Sequence, residues 1–188
     1  PFFKTIQIMA NCPITSGRTE PCLDSISGLN AFIAIPYINN GFTIDEATGL
    51  VTEMSASITE AFKYELRADA NILNTDGVAD ENTGVSLFTE TLTVFLKKLD
   101  AETNVQVRLL QQGLHYIIGI SRNGDYQLMG SLDGARVTAS NITTGGARTD
   151  ASGYNLTFSS FSKYVTPFLD TTVITSVEAI ISTENINP

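Results

Sequence analysis

The side chains that most often carry reactions are scarce in this chain: one histidine, His115, two cysteines, Cys12 and Cys22, and twenty carboxylates. A serine or cysteine nucleophile needs a base oriented beside it, usually an imidazole. His115 heads an apolar run, HYIIGI, where a strand-end histidine making an ordinary hydrogen bond is expected. A zinc site of the common kind needs about four Cys, His or acidic ligands. One histidine and two cysteines with nine residues between them, read as reduced thiols rather than a disulfide, do not supply that set. Asp76, Asp80 and Glu81 sit together in LNTDGVADENTG, yet their spacing lacks the regular carboxylate pattern of calcium loops. No pair among the other acids is singled out for glycoside hydrolysis. GDYQLMG and GGARTDASG lack the lysine-terminated glycine pattern, and no helix is expected after either to receive a phosphate. The chain therefore reads as a non-enzyme with no cofactor and no metal. Asn141 and Asn155 open glycosylation sequons that read as chance matches in threonine-rich sequence.

Composition points the same way. Charged residues are 16% of the 188 against 43% apolar, a shortage of charge that suits surfaces covered on assembly. Eleven basic against twenty acidic residues leave a net charge of -9, which argues against a phosphate-gripping surface. PFFKTIQIMANC is broken by Lys4, Gln7 and Asn11 and does not read as a signal peptide. The longest apolar stretch, LNAFIAIPYI, contains Pro36 and is too short to cross a membrane.

The elements are predominantly strands. FKYELRADANI, residues 62–72, alternates Phe62, Tyr64, Leu66, Ala68, Ala70 and Ile72 against charged and polar residues, and predicts one long strand with a core face. GVSLFTETLTVFL continues the alternation with a threonine-rich outer face. Residues 73–84 between them read as a long protruding loop. DAETNVQVRLLQQG predicts a helix capped by Asp100 and stopped by Gly113, its apolar stripe made of Val105, Leu109 and Leu110. HYIIGISRNGDYQLMGSL predicts a hairpin with a type I′ turn at Asn123 and Gly124. Residues 133–152 read as a second long loop, followed by a strand in GYNLTFSSF and another in VITSVEAIIS. The first 42 residues, divided by Pro13, Pro21 and Pro36, read as an arm or edge elements beside a single domain spanning 43–188.

The order V-x-L-L, I-I-G-I-S-R-N-G-x-Y-x-L-M-G, D-G-A-x-V-T, T-G, D-x-S-G-Y-x-L-T-F-S, P-F-L, from Val107 to Leu169, resembles tail-tube-like and neck-ring structural proteins of tailed bacteriophages, in particular phages of Bacteroidetes, including crAss-like phages. The resemblance covers about a third of the chain, lies in glycine, turn and strand positions, and contains no catalytic motif. It implies an antiparallel β-sandwich with one flanking helix and long loops, assembled as a ring of identical copies around a DNA channel in the virion neck or tail. The implied partners are further copies, neighbouring portal, adaptor or hub proteins, and genomic DNA that passes without specific binding or any membrane contact. Part of the net negative charge is then expected to face the lumen. The residues expected at subunit contacts are Asp76, Asp80 and Glu81 in the first loop and Arg136 and Arg148 in the second. The alternative is a β-sandwich binding module of a fibre or baseplate that recognises host glycans, which would need an exposed aromatic platform.

Overall fold

In LNAFIAIP, Phe32 and Ala34 alternate with Ala31, Ile33 and Ile35, so a strand formed here is apolar on both faces and belongs inside a layered structure. The computed structural model describes residues 14, 16–20, 22–68, 70–80 and 82–182, and places this stretch as β1 (Leu29–Pro36), paired on both sides. The expectation of an arm or edge elements for the first 42 residues fails for this segment. Proline punctuation hid a strand whose two faces are both buried.

The chain continues as β2 (Phe42–Asp45), β3 (Leu50–Met54), β4 (Phe62–Glu65), β5 (Ile72–Asp80), β6 (Val85–Lys97), α1 (Ala101–Gln112), β7 (His115–Ser121), β8 (Tyr126–Met129), β9 (Arg136–Thr143), β10 (Gly153–Ser162), β11 (Phe168–Leu169) and α2 (Thr171–Ala179). A seven-stranded sheet runs β2-β3-β11-β8-β7-β1-β4, and a four-stranded sheet runs β5-β6-β10-β9. Every pairing is antiparallel except β3 with β11. The fold is thus mainly β, a sandwich as expected, but with two helices rather than one.

Two cores follow from the alternation in β1. Phe32 and Ala34 face the four-stranded sheet and pack with Leu92, Val94, Leu156 and Phe158, while α1 contributes Val107 and Leu110 to the same core. Ile33 and Ile35 face away and pack with Val51, Ile118, Leu128 and, from α2, Val173 and Val177. The side chains of α1 that reach the core are therefore Val107 and Leu110. Val105 and Leu109, expected on the apolar stripe, are half exposed.

The predicted strand over 62–72 breaks in two and serves both sheets. β4 ends at Glu65, Leu66 donates its N–H to Asn30 C=O across 2.8 Å, and β5 begins in the other layer. Asn71 holds the corner: its side chain donates to Ala68 C=O at 2.7 Å and accepts from Phe95 N–H at 2.8 Å. The segment expected as a loop at 73–84 is mostly β5, turning only between Asp80 and Val85 into β6. The segment expected as a loop at 133–152 contains β9. VITSVEAIIS forms not a strand but most of α2, capped by Asp170, whose carboxylate accepts from Thr172 N–H, with Val173 and Val177 one turn apart on the buried side. The hairpin of β7 and β8 forms as expected, with a different turn. Gly124 N–H donates to Ser121 C=O, and only Gly124, at φ +90°, takes the left-handed region, so the loop has three residues instead of two.

Asp100 caps α1 by accepting from Glu102 and Thr103 N–H, both at 3.1 Å, and these bonds hold its carboxyl below the usual range. Asp100→Ala should lower the melting temperature by about 2–4 °C, the usual cost of a lost cap in a chain of this size. Calorimetry at neutral pH checks this, with no change in melting temperature as the contrary result.

Candidate subunit interface

The four-stranded sheet exposes a face and two edges. Alternation along β6 turns Glu90, Leu92 and Val94 inward and Thr89, Thr91 and Thr93 outward, and β10 turns Asn155, Thr157 and Ser159 outward in the same way. Register joins these into rows across the sheet. Asn74, Thr91, Ser159 and Arg136 form one row, and Ile72, Thr93, Thr157 and Ala139 form the next. The outward face thus mixes threonine, serine and asparagine with exposed apolar side chains, Ile72, Val78, Val85 and Phe161. Asp76 and Asp80 on β5, Arg136 on β9 and Lys97 at the end of β6 carry its charge.

The residues expected at subunit contacts are not brought together within the chain. Asp76 and Asp80 lie on β5, one edge of the sheet, and Arg136 lies on β9, the opposite edge. Three strand spacings separate those edges, about 14 Å. Arg148 follows β9 in an exposed loop organised by Asp150, whose carboxylate accepts from Gly146 N–H at 3.0 Å and Ala147 N–H at 2.6 Å. Those bonds hold the Asp150 carboxyl below its ordinary range. Asp80 accepts from Asn82 N–H at 2.8 Å and is lowered in the same way, so it shapes the β5–β6 turn as well as charging the edge. Glu81 lies outside the described residues, as do Cys12 and hence any pairing of it with the exposed Cys22.

Among the described residues the one ion pair joins Arg67 and Glu65, at 3.6 Å, on the surface. Neither Arg136 nor Arg148 has an acidic partner there. Beyond the sandwich, the β5–β6 hairpin extends past the end of β10 with Val78 and Val85 exposed. Exposed valines at the tip of an uncovered hairpin, beside unpaired strand edges, are features that assembled proteins cover.

His115 pairs through its backbone with Ala135, while its Nδ1 is buried without a hydrogen-bond partner among the described residues. Burial pushes the imidazole below its ordinary range, and the hydrogen bond expected of its side chain is not seen at Nδ1. Among the described residues no group of three or more histidine, cysteine, aspartate or glutamate side chains stands ready for a metal. No described helix is long and apolar enough to cross a membrane. A shallow groove of about 360 Å³ is lined by Asn40, Phe42, Thr43, Ser131, Lys163 and Tyr164, among others. Every tyrosine is engaged: Tyr37, Tyr116, Tyr126, Tyr154 and Tyr164 donate hydrogen bonds from their hydroxyls, and Tyr64 stacks on Phe32. The bond to Glu178 pushes the Tyr126 hydroxyl up to about 12 and fastens α2 to β8.

Sequence reasoning passed over Glu90. It is fully buried on β6, opposite Thr75 on one side and Ser160 on the other. One carboxylate oxygen accepts from Gly130 N–H at 2.9 Å and Ser160 Oγ at 2.7 Å, and the other accepts from Thr166 Oγ1 at 3.1 Å. Thr166 is in turn hydrogen-bonded to Thr75, and Ser131 to Ser162. The signal was present in FTETLTVFL, where an acid takes a position that alternation assigns to the core. No family model, no curated protein and no solved structure matches this chain.

Proposed function

We propose that this chain is a structural protein of a phage neck or tail that assembles as a ring of identical copies around a DNA channel, through the two edges of its four-stranded sheet. The observation that carries the reading is the relation between those edges. Each strand is antiparallel to its neighbour, so β5 and β9 run in opposite directions, and β5 of a second copy can join β9 without interrupting the antiparallel alternation. The edges also differ in charge, Asp76 and Asp80 on one and Arg136 on the other. A head-to-tail contact repeated around a closed ring pairs every edge and places Arg136 near the Asp76 edge of the next copy.

Six copies would close about 24 strands into a barrel roughly 37 Å across from backbone to backbone, before strand tilt widens it. With the outward face of the sheet lining that bore, DNA meets threonine, serine and asparagine side chains interspersed with the apolar Ile72, Val78, Val85 and Phe161. Asp76 and Asp80 supply the acidic share near each seam, and Arg136 offsets part of it. Neutral hydroxyls offer phosphates no ion pair, which suits passage without retention.

Negative-stain microscopy with light scattering across a concentration series tests the reading. Closed rings are expected from the wild-type chain. Arg136→Glu should raise the concentration needed for rings at least about tenfold, because every seam then sets like charges side by side. Adding Asp76→Arg to that variant restores opposite charges across the seam and should restore assembly. A wild-type chain that stays monomeric throughout, or a charge reversal without effect, would overturn the proposal.

A further inference from the structure

The loop that joins β7 to β8 carries an asparagine followed by a glycine, and the Asn123 side chain meets the segment that leads into β1. Asn123 Oδ1 accepts from Ile26 N–H at 2.9 Å, and Asn123 Nδ2 donates to Ser25 Oγ at 2.9 Å. Every residue from 22 to 27 is exposed, Leu23 and Ile26 included, so side-chain packing does not hold this segment to the sandwich. The Asn123 amide fastens it, with one bond to each of two consecutive residues, while Arg122 N–H donates to Gly28 C=O at the base of β1. That amide also stands beside a backbone nitrogen able to attack it. Gly124 has no side chain to shield its nitrogen, and a Cβ added there would meet nothing within 4 Å.

We propose that Asn123 and Gly124 form a self-modification site whose reaction unfastens residues 22–27. Gly124 N bonds to Asn123 Cγ and gives up its proton, the bond from Cγ to Nδ2 breaks, and ammonia leaves with that proton, closing a cyclic succinimide. Ile26 N–H already points at Oδ1, the oxygen that carries the negative charge of the tetrahedral intermediate. Water then opens the ring. Addition at the main-chain carbonyl gives isoaspartate, whose backbone runs through Cβ and Cγ and whose carboxylate sits directly on Cα. The loop backbone is then longer by a carbon and the side chain shorter by a carbon, so Ile26 N–H and Ser25 Oγ lose the partner that met them. The bond from Arg122 N–H to Gly28 C=O is untouched, which leaves β1 in place. The site is a property of the single chain and does not rest on ring assembly.

Prolonged warm incubation of the wild-type chain at neutral pH tests it, with mass mapping of the peptide that contains Asn123 and hydrogen exchange at the Ile26 amide. The expected course is loss of ammonia, then gain of water as isoaspartate, and in the modified chains a fall of at least about tenfold in Ile26 protection. Gly124→Ala should slow the conversion about tenfold, because a methyl group crowds the attacking nitrogen. Asn123→Asp keeps an oxygen for Ile26 N–H and can accept from Ser25 Oγ–H on an ordinary backbone, so its Ile26 protection should stay within about twofold of the wild type. Asn123 left intact by an incubation that converts a free peptide of the same loop sequence, or isoaspartate chains with Ile26 protection unaltered, would overturn the proposal. An equal loss of protection in Asn123→Asp would overturn it too, since charge and not the lengthened backbone would then be the cause.

Discussion

Gly153→Ala is expected to destabilise the chain by about 3–5 kcal/mol, enough to leave little folded protein at 37 °C. Gly153 opens β10 and pairs with Lys97 of β6 and Thr143 of β9, so it lies where three strands of the four-stranded sheet meet. A Cβ there would stand 2.1 Å from Leu96 O and 3.1 Å from Leu96 C, at φ +156°. Those atoms are backbone and cannot rotate out of the way. Relief requires β10 to separate from β6, which opens the side of the core holding Tyr154 and Leu156. The informative control is Gly124→Ala, where φ is +90° but no atom lies within 4 Å. Conformational strain alone should cost that variant about 1 kcal/mol. Urea melts of the two variants check the argument, which fails if their midpoints fall equally.

The second large effect belongs to Glu90. Glu90→Ala removes the acceptor that serves Gly130 N–H, Ser160 Oγ–H and Thr166 Oγ1–H, and leaves a cavity between the sheets. Hydroxyls can rotate to new partners, whereas the Gly130 amide cannot, and the combined cost should be about 3–4 kcal/mol. Glu90→Gln keeps an acceptor oxygen and can donate to Thr166 Oγ1, so at neutral pH it should equal or exceed the wild type. The pH dependence gives the sign. The folded carboxyl group holds its proton more tightly than the unfolded one, whose value is near 4.5. The folded state then binds more protons in the window above 4.5, so stability falls as pH rises through it and levels off above the folded value. Subtracting the Glu90→Gln curve isolates that contribution from the chain's other carboxylates. Chemical denaturation at several pH values should show wild type losing ground to Glu90→Gln as pH rises, and a constant difference would refute it.

The parts of the fold legible in the sequence were those where local chemistry and tertiary environment agree. β6 and β10 bury one face in the core, so their alternation survives in Leu92, Val94, Leu156 and Phe158. α1 announced itself through Asp100 and Gly113. β5 and β9 were missed because edge strands with exposed outer faces have little apolar pattern to show, and Asp76, Gly77 and Asp80 resemble a turn. α2 was misread because valine, isoleucine and threonine favour strands, while the packing of Val173 and Val177 on the seven-stranded sheet overrode that preference. Of the interface residues, the chemical types were readable but their placement was not. Residues more than fifty positions apart, Asp76 and Arg136, take opposite edges only because β6 and β10 come between them.

The position of β1 also governs how the chain can be made. Its residues emerge before both of its partners, β4 at 62–65 and β7 at 115–121, and β3 waits for β11 at 168–169. The hairpin of β5 and β6 can form from neighbouring residues, but the larger sheet cannot close until β7 and β11 have left the ribosome. During that interval LNAFIAIP, apolar on both faces, has few places to hide. Any aggregation during synthesis should therefore begin at this eight-residue stretch, apolar on both faces.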